Sequence, residues 1–198
     1  MKRDSNWSAE VHTKVMIDAF GVDMGRAMIL PSITQDLAHG DDNRMHFLRD
    51  PGQSPSKAIA NYREYVQEEF DTARSLNATG DSDNRAAALN FFTFAVHDIL
   101  DSFSPAHNHM GDPQVFDKTW GAAEAEKHGH SPSDLVGQEG TAHLTPKVEK
   151  SMIKELKKAF DYVYRKGQKP DLTIRNNRRD NCAETVSCKS GSEIEFWN

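Results

Sequence analysis

Apolar residues recur at helical spacing in several stretches separated by polar connections. Val11, His12, Val15, Met16, Ala19 and Phe20 fall on one face, which predicts an amphipathic helix ended by Gly21. Ile59, Tyr62, Val66, Phe70 and Ala73 predict a second, entered through Ser54, Pro55 and Ser56 and left between Asn77 and Gly80. Its exposed face carries Arg63, Glu64, Glu68 and Glu69. The most apolar stretch, Asn84 to Leu100, reads as a buried central helix that must stop before Pro105, because proline cannot continue the hydrogen-bond ladder. A fourth helix is expected from Thr145, with Pro146 in its first turn, through Val148, Met152, Ile153, Leu156, Phe160 and Val163 to Gly167. The pattern is all-α: a single helical domain over 7–167, preceded by a leader or linker remnant at 1–6 and followed by a polar tail at 168–198. The connections from Pro31 to Pro55 and from Ser104 to His143 are longer than helix-to-helix links require, and such loops often carry function.

Composition narrows the picture. A chain of 198 residues with 37% hydrophobic content can bury one real core, and two domains would be cramped. No apolar stretch reaches the roughly 18 residues that a membrane-spanning helix needs, since Asn90, Thr93 and His97 interrupt the best candidate, so no integral membrane segment is expected. Lys2 and Arg3 are not followed by the apolar core of a signal peptide, so export would need another route than a Sec signal in this chain. The net charge of −6 argues against nonspecific coating of nucleic acid. Cys182 and Cys188 are too few for a disulfide scaffold; they could close one small loop in an oxidising compartment or stay reduced.

The informative chemistry lies at the end of the central helix. His97 and Asp101 stand four apart, so on one helix they project from the same face and can share an ion. Pro105 then breaks the helix and lets His107 turn back toward that face. A neutral imidazole and a carboxylate suit zinc, and a buried ion would explain polar groups in the most apolar helix. The plainer alternative is a histidine and an aspartate at a solvent-facing helix end. His130 and Asp134 repeat the four-residue spacing, though Ser131-Pro132-Ser133-Asp134 is also a good helix start. His12 opens the first helix, where a lone histidine is usually structural. His46-Phe47 follows Asp36, Asp41 and Asp42 in a glycine-containing segment.

Together these residues resemble the zinc-dependent phospholipase C and P1/S1 nuclease superfamily. The resemblance rests on His-x3-Asp-x3-Pro-x-His at His97, Asp101, Pro105 and His107, after an apolar helix that includes Ala86-Ala87-Ala88-Leu89. Further pieces follow in the family's order: Trp-x4-His at Trp7 and His12, His46-Phe47, Ala58 to Tyr62, and His-x3-Asp at His130 and Asp134. The Trp-x4-His spacing and the aspartate in the last pair look more like the P1 nuclease branch; the short loops and length look less like typical secreted nucleases.

The resemblance implies up to three zinc ions in a helical fold with long ligand-bearing loops. His97, Asp101, His46 and a loop aspartate would hold one ion, and Asp36 is chosen over Asp41 and Asp42. Asp101 would bridge to a second ion held by His12 and by the amino and carbonyl groups of Trp7, while His107, His130 and Asp134 would hold the third. His39, His109, His128 and His143 are read as surface groups or supports for ligands. One departure matters. In the family the tryptophan is the first residue of the mature chain, whereas here Met1 to Asn6 precede it. The expectation is therefore a toxin-like part of a larger exported polypeptide, cut before Trp7, or otherwise a cytoplasmic chain. A cognate inhibitor protein would be expected by analogy alone.

The implied activity is zinc-dependent phosphodiester hydrolysis, in which a hydroxide held between ions near Asp101 attacks phosphorus in line and Asp36 orients the water as general base. Phe47 could stack on a nucleobase, line a lipid head-group pocket, or simply pack in the core. Met24, Met28, Ile29, Leu30, Phe103 and Met110 are the apolar candidates for a cleft mouth facing phospholipid; Phe47 with Arg49 and Lys57 would serve single-stranded nucleic acid. The acidic balance favours phospholipid. A P1/S1-like single-strand nuclease or 3′-nucleotidase is the alternative, and a non-enzymatic helical module with a structural zinc site is the second.

Overall fold

Val11, Val15 and Met16 turn inward from helix α1 (Ala9–Phe20), and His12 turns inward with them. The computed structural model describes residues 9–39, 42–104, 107–109, 111–116, 144–172 and 174. Gly21 ends α1 with φ of 87°, a left-handed conformation that glycine adopts without strain, and its N–H donates to Ile17 O at 2.8 Å. The short helix α2 (Val22–Ala27) then folds back so closely that a Cβ on Gly25 would lie 2.7 Å from Ile17 Cα. After Met28 the chain forms α3 (Ile29–His39).

Helix α3 corrects the expectation of an irregular connection from Pro31 onward. Pro31 is the third residue of α3, where a backbone N–H has no helical acceptor, so proline costs little there. Ile29, Ile33 and Leu37 do stand at helical spacing, but the run is short and Pro31 within it reads as a break, while Ser32 and Gln35, both buried, add no apolar signal. A 3-10 turn (Asn43–His46) follows, capped by Asp42, whose Oδ1 accepts from Arg44 N at 3.1 Å.

The three long helices lie where the apolar pattern predicts. Helix α4 (Pro55–Ala78) is capped by Ser54, which accepts from Lys57 N at 3.3 Å, and buries Tyr62, Tyr65, Val66 and Phe70. Helix α5 (Ser82–Asp101) is capped by Asp81 and sinks its C-terminal half, from Ala95 through Asp101, into the interior. It stops at Asp101, before Pro105, as the proline requires. Helix α6 (Pro146–Tyr164) is capped by Thr145 and buries Val148, Met152, Leu156 and Val163 against the α4–α5 hairpin and α1. Phe20, Phe70, Phe92, Phe160 and Tyr164 form one aromatic cluster, with Phe20 and Phe92 centroids 5.5 Å apart and Phe92 and Tyr164 centroids 5.3 Å apart. Beyond Gly167 the chain still touches this body, since Leu172 and Ile174 pack on the core and Arg63 donates to Leu172 O at 3.1 Å.

A small sheet, absent from the expectation, completes the fold. Strands β1 (Leu48–Arg49), β2 (Asn108–His109) and β3 (Asp112–Val115) lie in the order β1-β3-β2. Leu48 pairs with Gln114 in parallel and Asn108 with Pro113 antiparallel, which ties the segment after His46 to the segment after His107. Strands this short carry too little alternation to be read from sequence. Among the described residues, no helix is long and apolar enough to cross a membrane.

Candidate metal centre

Four separate elements bring imidazoles to one buried carboxylate. Asp101, the last residue of α5, receives His97 from one turn earlier on the same helix, His12 from α1, His46 from the end of the 3-10 turn and His107 from the turn just before β2. His97 Nε2 lies 3.2 Å from Asp101 Oδ2, His46 Nδ1 3.1 Å and His107 Nδ1 3.6 Å from the same oxygen. His12 Nε2 approaches the other oxygen, Oδ1, at 3.4 Å. Asp36, on α3, closes the group with Oδ1 at 3.1 Å from His97 Nε2 and 3.8 Å from His46 Nδ1. His12, His46, His97 and Asp101 are all at most 4% exposed.

These spacings fit a bound cation. Ligands about 2.05 Å from a tetrahedral zinc stand about 3.3 Å from one another, and the separations here run from 3.1 to 3.8 Å. His12 Nε2 and His97 Nε2 are buried and make no hydrogen bond of good geometry, although carboxylate oxygens lie 3.1–3.4 Å away. Two overlapping sets have donor atoms close enough to share an ion: His12, His97 and Asp101, and Asp36, His46 and His97. Because the two oxygens of Asp101 face different histidines, the carboxylate can bridge two ion positions.

The charges of the cluster shift one another's protonation. Burial alone would raise the Asp101 carboxyl, yet His107 and His97 hold it well below the usual carboxylate range. Burial would likewise raise Asp36, and the charge of His97 brings it below its ordinary value. His97 is pulled the opposite way, with Asp101 and Asp36 raising it well above an ordinary imidazole against the effect of burial. His107 is lowered by burial, and its Nδ1 hydrogen-bonds to the carbonyl of His46.

Of the two rival aspartates among the described residues, Asp36 is the one brought to the histidines. Asp42 instead caps the 3-10 turn and pairs with Arg44 at 2.7 Å. Trp7, Asp41, Met110, His128, His130, Asp134, His143, Cys182 and Cys188 lie outside the described residues, as do the side chains of His39 and His109. Phe47 requires a correction. It is 0% exposed, with its ring edge-on to Tyr62 at 4.8 Å, so it packs the core and offers no face to a substrate. Its backbone is left-handed, with φ of 51°, and this sharp turn directly after His46 helps aim the imidazole inward. Met28 and Phe103 are also buried and drop out as rim residues, whereas Leu30 is 72% exposed.

Other residues supporting the site give no signal in the sequence. Ser32 Oγ lies 2.9 Å from His97 Nδ1. Gln35 Nε2 donates to Met45 O at 2.7 Å and so ties α3 to the turn that carries His46. Asp98, beside His97, is fully buried; burial and the neighbouring Asp101 push its carboxyl well above the usual range. These positions are set by how α3 and α5 cross, a tertiary fact without a local spacing to reveal it. No family model, no curated protein and no solved structure matches the chain.

Proposed function

We propose that this chain is a zinc-dependent phosphoric diester hydrolase of the phospholipase C and P1/S1 nuclease type. The observation that carries the reading is the Asp101 carboxylate, whose two oxygens face histidines from different elements within a largely buried group of six ligand-type side chains. A structural zinc site needs one closed tetrahedron, and this set offers more donors than one ion takes. Bound zinc supplies a nucleophile at neutral pH and offsets negative charge at phosphorus. Asp101, His12, His46 and His97 are the residues that would hold the ions. Asp36 is the cluster carboxylate that solvent reaches, with its side chain 28% exposed against 5% for Asp101. It is therefore the group placed to take a proton from an attacking water.

The substrate reading is a phospholipid head group. With Phe47 in the core, the stacking aromatic proposed for nucleic acid is gone, and Arg49 is engaged by Pro113 O and Gln53 O, both at 2.9 Å. Leu30 remains exposed on the helix that bears Asp36, about 9 Å along the axis from it. The test is hydrolysis of phosphatidylcholine vesicles and of single-stranded DNA by the zinc-loaded chain and by Asp101→Ala. Asp101→Ala is expected to lose activity by at least about 1,000-fold and to melt at lower temperature, because the histidines then lack their shared partner. Turnover of DNA but not of lipid would move the substrate to the nuclease side. Wild-type rates in Asp101→Ala would overturn the assignment.

A further inference from the structure

Ser32 and Asp36 stand four residues apart on α3, and His97 and Asp101 stand four apart on α5, so each pair shares one helix face. The two faces meet at the His97 imidazole, which α3 grips at both nitrogens: Ser32 Oγ lies 2.9 Å from Nδ1, and Asp36 Oδ1 lies 3.1 Å from Nε2. Ser32 is 4% exposed and His97 0%, so water does not substitute for either partner. A serine within a helix is a weaker helix former than alanine and adds no apolar contact. Its buried hydroxyl is accounted for by the imidazole it meets.

We infer that Ser32 is a positioning residue for zinc at this centre, accepting the Nδ1 proton of His97 and thereby leaving the lone pair on Nε2. A neutral imidazole carries one ring proton, and a proton on Nε2 would close that nitrogen to an ion. The hydroxyl also fixes the ring's rotation, since Nδ1 can meet Ser32 only when Nε2 points between Asp36 and Asp101. The inference rests on the zinc reading and adds to it a residue that touches neither ion nor substrate.

Zinc affinity of the full chain, measured by competition with a chromophoric chelator, reads this role without reference to turnover. Ser32→Ala is expected to weaken binding of the tightest ion by about 10- to 100-fold. The circular dichroism and melting temperature of the zinc-free variant should stay near wild type, because alanine is a good helix former. Ser32→Thr keeps the hydroxyl and is expected to recover most of the affinity. Thr34→Ala removes a hydroxyl from the exposed face of the same helix and is expected to lose none. Equal affinity in wild type and Ser32→Ala overturns the inference while leaving the zinc centre standing. A Ser32→Thr chain as weak as the alanine variant does the same, since packing and not the hydroxyl would then be responsible. A wild-type chain that takes up no zinc overturns both.

Discussion

Glu69 shows how a single side chain in this fold couples to pH. It is partly buried on α4, its Oε2 has no hydrogen-bond partner, and burial together with neighbouring Glu68 pushes its carboxyl up to about 7. In the unfolded chain the value returns to 4.5. Between those two values the native state keeps a proton that the unfolded state has released. Stability from this group is therefore full below pH 4.5 and falls as pH rises through about 7. Glu69→Gln removes that loss, so thermal melts should show the variant gaining on wild type at pH 8 and not at pH 4. An equal shift at both pH values would contradict the argument. The same scale explains which site residues could be read from sequence. His97, Asp101 and His107 are joined by short spacings around a helix end and a proline, so local geometry alone brings them close. Ser32 and Gln35 bear on the site only because α3 crosses α5 and the 3-10 turn, and no short spacing encodes that crossing.

Among the elements, α1, α4, α5 and α6 were legible because each carries an apolar face and, for the last three, a serine, aspartate or threonine cap. Helix α3 was not, because Pro31 interrupts its short Ile29, Ile33 and Leu37 spacing and the buried positions Ser32 and Gln35 are polar, with Asp36 turned toward the histidines. The α1–α2 corner has its own sharp requirement. Gly25 lets α2 lie against the Ile17 backbone, and a methyl group there meets Ile17 Cα and N at 2.7 and 2.8 Å. Gly25→Ala should therefore cost about 1–3 kcal/mol despite the better helix propensity of alanine. Chemical denaturation checks this, and a neutral or stabilising effect would show that α2 can move away freely. Because α2 leads into α3, the same variant should also loosen the approach of Asp36 to His97.

Among the described residues, the helices pack on one hydrophobic core, and a polar cluster gathers at the C-terminal end of α5. Helices α1, α3 and α5, the 3-10 turn and the turn before β2 each deliver at least one group to Asp101 or to the residues around it, so these elements are held in common by one polar cluster. Binding at such a centre is linked to folding, because an ion that binds the native chain and not the unfolded one stabilises it by mass action. The single helical body and its four long helices follow from the sequence; the sheet that joins the His46 and His107 segments does not, since strands of two to four residues leave no pattern. Zinc content is thus the property in which fold, site and chemistry meet. The most direct test is elemental analysis of the purified chain after dialysis against metal-stripped buffer without strong chelator. The account predicts about two or three zinc ions per chain, falling sharply in Asp101→Ala. A folded, monodisperse wild-type sample that holds no zinc and takes up none when it is added would contradict it.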